Sequence, residues 1–232
     1  MKKIKRLLVI PARAGSKRIK NKNIKNFFGK PMIYYPLKVA LKSKIFHKIH
    51  ISTDSKKIAN ITKKFGNFVD FLRPKNLSND SSSLISVLNF VIRKYEKSEI
   101  KFDEVWSILP CSPLIQIFDI KRCKQLIAKY KKPVLAVSPY PAPISWSFQV
   151  KNQLIYKTNE KDIRNKRLSK IISYYDSGQI YCFPTNILKK KKFSFDSKIV
   201  TYKLPLERSI DIDTKEDWEL AKILFKGHQK IK

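Results

Sequence analysis

At 232 residues and 43% hydrophobic, the chain is long enough to bury one substantial core, and one domain over 1–232 with a single insertion suits it better than two equal domains. Three cysteines, Cys111, Cys123 and Cys182, are too few and too scattered for a disulfide framework or a zinc ribbon, and no stretch reaches the roughly twenty apolar residues of a membrane span, so a soluble protein of a reducing cytoplasm is expected. The formal charge of +32 invites a polyanion partner, yet only nine of the 50 basic residues are Arg and the lysines run along the whole chain, which reads as a lysine-coated surface with neither nucleic acid nor membrane as partner.

A basic start leads into Leu7-Leu8-Val9-Ile10, but this apolar run before Pro11 is shorter than the roughly seven to fifteen residues of a secretory leader, so it reads as a first buried strand. Met32 to Lys42 is a candidate helix entered through Pro31, with Pro36 counting against it. His50 to Thr53 is a second strand, with Asp54 expected to cap a helix from Lys56 to Phe65, and Phe68 to Leu72 is a third. A polar turn from Ser78 to Ser83 opens a helix from Leu84 to Lys97, whose Leu84, Val87, Leu88 and Val91 share an apolar face. Glu104 to Leu109 is a strand, Ile117 to Tyr130 a helix and Pro133 to Val137 a strand, so the first part of the chain alternates β and α units around a largely parallel sheet.

Past Ser138 the rhythm breaks at Pro139, Pro141 and Pro143, and Phe148-Gln149-Val150 and Leu154-Ile155-Tyr156 flank a short turn as a hairpin. The charged stretch 159–170 reads as loop or short helix. Strands return at Gln179 to Phe183 and Lys198 to Leu204, and Thr214 caps a last helix to about Phe225, with Asp217 at the capping-box position.

Two constellations carry chemistry. The first strand runs straight into Pro11-Ala12-Arg13-Ala14-Gly15-Ser16-Lys17-Arg18, which puts small residues, a hydroxyl and three cations at the carboxyl end of a strand, where open α/β sheets bind ligands. Small residues allow backbone N–H groups to approach phosphate oxygens, and Arg and Lys balance their charge; the spelling is neither a Walker A loop nor a dinucleotide fingerprint, and an ordinary basic turn is the competing reading. Asp211 and Asp213, two apart in a strand-like Ile210-Asp211-Ile212-Asp213, would point both carboxylates to one face, suiting Mg²⁺ beside a phosphate; the competing reading is that they cap the last helix.

Ile10-Pro11-Ala12-Arg13-x-Gly15-Ser16-Lys17-Arg18, Lys22-Asn23-Ile24, Ser52-Thr53-Asp54, Leu72-Arg73-Pro74, Leu77-Ser78-x-Asp80, Ser112-Pro113-Leu114 and Ser209-Ile210-Asp211-Ile212-Asp213-Thr214 with Asp217-Trp218, in that order and spacing, resemble the acylneuraminate cytidylyltransferase family. The resemblance implies a Rossmann-like, mostly parallel sheet flanked by helices, of the nucleotide-diphospho-sugar transferase type. It implies CMP transfer from CTP to the anomeric hydroxyl of an acidic nine-carbon sugar, for surface glycan or flagellin glycosylation. It gives Arg13, Lys17 and Lys22 the catalytic charge and Ala12, Ala14, Gly15, Ser16 and Asn23 the triphosphate, and sets Asp80 and Ser83 near the cytidine, which suits the reading of Asp211 and Asp213 as a Mg²⁺ anchor by their position. The insertion at about 139–173 resembles the segment through which the family dimerises, so a homodimer is expected.

For the sugar, Leu109-Pro110-Cys111-Ser112-Pro113-Leu114-Ile115-Gln116 lacks the Gln and Arg usual in neuraminic acid enzymes. With Tyr140-Pro141-Ala142-Pro143-Ile144 and Tyr175-Asp176-Ser177-Gly178-Gln179-Ile180-Tyr181 it is similar to the pseudaminic acid branch. Gln116, Asp176, Gln179 and Tyr181 are thereby candidate readers of the sugar, with a core role as the alternative for Tyr181. Neuraminic or legionaminic acid is the runner-up; a 3-deoxy-manno-octulosonate synthetase is more distant. A basic RNA-binding protein and an inactive scaffold are the competing classes. None of His47, His50 and His228 falls in a motif, and each reads as a surface or edge residue.

Overall fold

The computed structural model describes residues 3–157, 172–190 and 198–230, and the expected loop at 159–170 lies outside them. Its elements are β1 (Arg6–Pro11), the short β2 (Asn26–Phe27) and β3 (Lys30–Pro31), α1 (Tyr34–Ser43), β4 (Lys48–Ser52), α2 (Lys56–Lys63), α3 (Leu84–Glu96), β5 (Glu104–Ile108), α4 (Ile117–Tyr130), β6 (Val134–Pro139), β7 (Phe148–Lys151), β8 (Leu154–Lys157), β9 (Tyr174–Pro184), α5 (Thr185–Leu188), β10 (Val200–Lys203) and α6 (Lys215–Lys230).

Six strands form one sheet in the order β10-β6-β9-β5-β1-β4. β1 is parallel to both β4 and β5, β6 is parallel to β10, and β9 runs antiparallel between β5 and β6. The sheet is therefore mixed but mostly parallel, and its buried strands read as continuous apolar runs because both faces are covered. Leu8 and Ile10 of β1 point to the side packed by Leu37 of α1, Ile58 of α2 and Ile120 of α4, while Leu7 and Val9 point to the side packed by Leu88 and Val91 of α3. Each such fully buried aliphatic side chain contributes about 2 kcal/mol, so β1 is a principal anchor of the core. A third cluster, Ile19, Phe27, Met32, Cys111, Ile212, Trp218 and Ala221, lies under the carboxyl end of β1 and braces the segments that form the cleft described below.

Several boundaries differ from the sequence reading for identifiable reasons. α1 begins at Tyr34, so Pro31 sits in β3 and Pro36 falls in the first helical turn, where its missing N–H forfeits no intrahelical bond. Ser55, not Asp54, caps α2 by accepting from the Ile58 N–H at 3.3 Å, because the Asp54 carboxylate is engaged elsewhere. Phe68 to Leu72 is not a strand: its backbone meets β4 through Ile51 N–H to the Phe68 carbonyl without forming a ladder, and Arg73 N–H reaches the Thr53 carbonyl beyond it. β9 starts at Tyr174, earlier than expected, with a register shift opposite Leu135/Val137 and Gly178 at φ +66 near its start. The hairpin is present as its own two-stranded sheet, joined by Asn152 and Gln153 at φ +50 and +66, both in the left-handed region that tight hairpin turns require. The last helix is capped as expected, with Asp217 N–H donating to Thr214 Oγ1 at 3.2 Å and Thr214 N–H to Asp217 Oδ2 at 2.7 Å.

Candidate active site

A cleft of about 560 Å³ opens at the carboxyl ends of β1 and β5, the edge of the sheet that also receives the start of β9. One wall is the turn after β1. Its shape is fixed from behind: Ala12 N–H donates to the Ser52 carbonyl at 2.8 Å, Ala14 N–H to Asp54 Oδ1 at 2.9 Å, and Asn23 Nδ2 to the Arg13 carbonyl at 2.9 Å. Asp54 thus tethers the turn rather than α2. Gly15 has open space where a side chain would stand, so its backbone faces solvent without obstruction.

The turn directs its cations at carboxylates. Arg13 Nη2 and Lys17 Nζ lie 2.6 and 2.7 Å from the two oxygens of Asp80, and these contacts, Lys17 foremost, hold the Asp80 carboxyl below its ordinary range. Across the cleft Arg18 Nη2 meets Asp213 Oδ2 at 2.7 Å and Lys22 Nζ meets Asp213 Oδ1 at 2.9 Å, while Lys22 also donates to the Ile212 carbonyl. Loss of water works against ionisation of Asp213, but Lys22 and Arg18 outweigh it and its carboxyl is lowered. Asp211 is the exception: among the described residues no hydrogen bond or ion pair satisfies it. It is open to solvent by area yet crowded by the cleft walls, and that desolvation, with Asp213 nearby, raises its carboxyl.

The segment bearing the two aspartates is not a strand, because it pairs with none, yet Ile212 is fully buried while Asp211 and Asp213 both line the cleft. The expected common face is therefore present without a ladder. No group of three or more His, Cys, Asp and Glu able to hold a metal occurs among the described residues. A cation here would have two carboxylates and would complete its shell with substrate oxygens and water, the habit of Mg²⁺. The unsatisfied, crowded Asp211 is the observation that fits such an ion.

The third wall, Leu109, Pro110, Cys111 and Ser112 after β5, faces Gly178 and Gln179 at the start of β9. Two polar atoms of this region are buried with no partner among the described residues: Ser112 Oγ, and Gln179 Oε1, whose amide nitrogen donates to the Ile210 carbonyl at 3.1 Å. Buried polar atoms are almost always paired, so orphans lining a cleft are positions open to a bond from water or a ligand. The Cys111 thiol contacts Asn23 Oδ1 at 3.5 Å and burial pushes it up to about 12, which makes it an inert wall rather than a nucleophile.

The structure thus brings Arg13, Ser16, Lys17, Lys22, Asn23, Asp80, Gln179, Asp211 and Asp213 into one cleft. Other sequence candidates stand outside its lining. Ala12 is buried in the core, Ala14 and Gly15 present only backbone at the rim, and Ser83 caps α3 by accepting from Ser86 N–H at 3.2 Å. Gln116 precedes α4, and its side chain meets His228 on α6. Tyr181 is a core residue whose hydroxyl donates to Asp176 Oδ2 at 2.9 Å; Asp176 in turn accepts from Gly178 N–H at 2.9 Å, so both brace the β9 turn instead of lining the cleft. Arg18, counted among the three cations of the turn but given no individual role by the resemblance, is also a cleft residue. Of the histidines, His47 is exposed as expected and His228 is half-buried on α6, but His50 departs from expectation, fully buried against Phe71 and Tyr95. No histidine lines the cleft.

A family model described as cytidylyltransferase matches residues 7–228. The chain is 33% identical over 225 residues to a pseudaminic acid cytidylyltransferase of Campylobacter jejuni, covering 96% of this chain and 97% of that enzyme. It is 32% identical to a CMP-N,N′-diacetyllegionaminic acid synthase of Legionella pneumophila, covering 97% of each, and 28% identical to an N-acylneuraminate cytidylyltransferase of Escherichia coli, covering 97% of this chain and 54% of that one. Among solved structures, a CMP:2-keto-3-deoxy-manno-octonic acid synthetase complexed with CTP superposes with a TM-score of 0.73 at 19% identity, covering 97% and 99% of the two chains, a likeness of fold.

Proposed function

The chain belongs to the cytidylyltransferase family, and from that membership we propose that it transfers CMP from CTP to the anomeric hydroxyl of a nonulosonic acid, pseudaminic acid first among them, with release of pyrophosphate. The observation that carries the reading is the meeting of four cations, Arg13, Lys17, Arg18 and Lys22, with the carboxylates Asp211 and Asp213 at the carboxyl end of β1. In this reaction the anomeric oxygen bonds to the α-phosphorus, the bond from that phosphorus to the bridging oxygen of the β-phosphate breaks, and the hydroxyl proton is lost. Such transfers ask the protein for little covalent chemistry and much charge placement. Arg13, Lys17 and Lys22 take the triphosphate and the negative charge that gathers on the departing pyrophosphate. Ser16 and Asn23 lie on the same wall to orient it. Asp211 and Asp213 hold Mg²⁺, which when bound neutralises phosphate oxygens and lowers the pKa of the attacking hydroxyl. Gln179 Oε1 and Ser112 Oγ offer unfilled hydrogen-bonding positions at the opposite wall, where the sugar is read.

The partner of the protein is a second copy of itself. The hairpin β7–β8 exposes Val150, Leu154 and Ile155 at 71%, 60% and 66%, with Trp146, Phe148 and Tyr156 beside them. A lone two-stranded hairpin is marginal in water, and so apolar an arm is stabilised by burial against its symmetry mate. Nothing among the described helices is long and apolar enough to cross a membrane.

The test is pyrophosphate release from CTP and Mg²⁺ with pseudaminic, legionaminic and neuraminic acids in parallel. Turnover with pseudaminic acid at the highest kcat/KM is expected; preference for legionaminic acid, which the 32% identity makes the second reading, would move the specificity and leave the chemistry, and no release with any of them would sink both. Sedimentation velocity of the Val150→Glu/Ile155→Glu variant tests the dimer, which should dissociate.

A further inference from the structure

Asp119, Tyr202 and Arg208 form a buried polar knot that the proposed reaction does not use. Asp119 is fully buried, the third residue of α4, and its Oδ2 accepts from Gln116 N–H at 2.7 Å and from Arg208 Nη1 at 2.5 Å. Its Oδ1 accepts from the Tyr202 hydroxyl at 2.5 Å. A buried ion pair of this kind is weak evidence of stability, because desolvation offsets the attraction; what it does supply is fixed geometry. The knot lies outside the cleft, but the two segments it joins each adjoin one of its walls. Asp119 follows the wall that ends in Cys111 and Ser112, and Arg208 stands three residues before Asp211.

The segment Ser209 to Asp213 has no strand ladder to hold it. Its bonds come from side chains: Ser209 Oγ to Ser138 Oγ at 2.7 Å, Gln179 Nε2 to the Ile210 carbonyl at 3.1 Å, and Lys22 to the Ile212 carbonyl. At the amino end of this run Arg208 ties the segment to Asp119 of α4, alongside the bonds of Ser209 to Ser138 on β6 and Tyr175 on β9. We propose that Asp119 is a positioning residue which, through Arg208, sets the place of the Asp211 carboxylate relative to the Cys111–Ser112 wall and so the affinity of the cleft for its divalent cation. The proposal rests on the reading of Asp211 and Asp213 as the cation anchor.

The test replaces the whole knot by apolar groups, Asp119→Leu/Tyr202→Phe/Arg208→Met, so that no buried charge is orphaned and the fold is kept. Binding of Mn²⁺ to the CTP complex, followed by electron paramagnetic resonance, should weaken about tenfold while the melting temperature stays near that of the unaltered protein, and amide exchange of the 209–213 segment should quicken in the metal-free protein. Unchanged Mn²⁺ affinity and unchanged exchange would overturn the proposal and leave the knot merely structural. Should the triple variant not fold, Arg208→Lys, which keeps the charge but loses the planar fork, is read by the same two measurements, with weaker Mn²⁺ binding expected and unaltered binding decisive against. Asp211→Asn is the control for the underlying reading: if it binds Mn²⁺ as the unaltered protein does, the anchor assignment fails, whatever the knot does.

Discussion

Lys22 Nζ lies 2.9 Å from Asp213 Oδ1, so a lysine 191 residues earlier in the chain already neutralises one of the two carboxylates assigned to a cation. The role proposed for Lys22 toward the triphosphate and its observed pairing with Asp213 make opposite demands on a variant. Lys22→Met removes a cation from the transferring phosphates and should lower turnover by about 10²-fold, the usual effect of losing one oriented charge. It also unmasks Asp213, so the Mg²⁺ concentration for half-maximal rate should fall. A titration of rate against Mg²⁺ measures both, and a drop in turnover with a higher Mg²⁺ requirement would show that Lys22 supports the cation site instead of competing with it.

Asp80 occupies the cations of the basic turn in the same way, bridging Arg13 and Lys17. It is exposed, and exposed ion pairs are easily exchanged, so a triphosphate can displace it. Asp80→Asn should therefore tighten CTP binding by about threefold at low salt, and the gain should vanish near ~0.5 M salt, where such contacts are screened. Calorimetric titration at two ionic strengths reads it. Weaker binding in the variant would instead place Asp80 on the nucleoside, the role that the family resemblance gives it.

Ser112 carries a buried hydroxyl that no group among the described residues satisfies. Removing an unpaired buried hydroxyl relieves a desolvation cost of about 1 kcal/mol, so Ser112→Ala should melt roughly 2–4 °C higher. If that hydroxyl is kept for a substrate, the same variant should lose kcat/KM by roughly tenfold. A variant that is both more stable and fully active would show that Ser112 serves no ligand.

How much of this was legible beforehand depends on how local the cause is. The β1 run, the amphipathic α3 and the Thr214/Asp217 cap are local patterns, and they fold as read. The antiparallel course of β9 between β5 and β6 is not, because strand direction leaves no mark on an apolar run. Asp54 and Ser55 are equally good caps in sequence; only the Ala14 N–H, brought in by the fold, decides between them. The same holds in the cleft. Cations and carboxylates announce themselves by type, whereas Gln116 and Tyr181 are displaced by facing: one precedes a helix and turns to His228, the other shares Gln179's side of β9 but lies deeper, under the α3 core.

His50 provides a prediction about acid stability that is separate from the cleft. The ring is fully buried, stacked 4.3 Å from Phe71, with Nδ1 3.3 Å from the Tyr95 hydroxyl and Nε2 without a partner among the described residues. Burial lowers it from 6.5 to about 4, against the pull of Asp70 in the other direction. The folded protein thus refuses a proton that the unfolded chain accepts. Above pH 6.5 both states are neutral there and His50 adds no pH dependence; from 6.5 down to about 4 the unfolded state binds more protons and stability falls, by roughly 3 kcal/mol in all; below that the loss levels off. Asp70, whose carboxyl is lowered because bonds from Lys48 and Tyr95 overcome its desolvation, loses its contribution only below its ordinary value of 3.8, in a separate window. His50→Phe keeps the stacking on Phe71 and cannot titrate. Urea midpoints measured from pH 7 to 4.5 should slope downward in the unaltered protein more steeply than in the variant, and equal slopes would mean that His50 takes up its proton inside the fold.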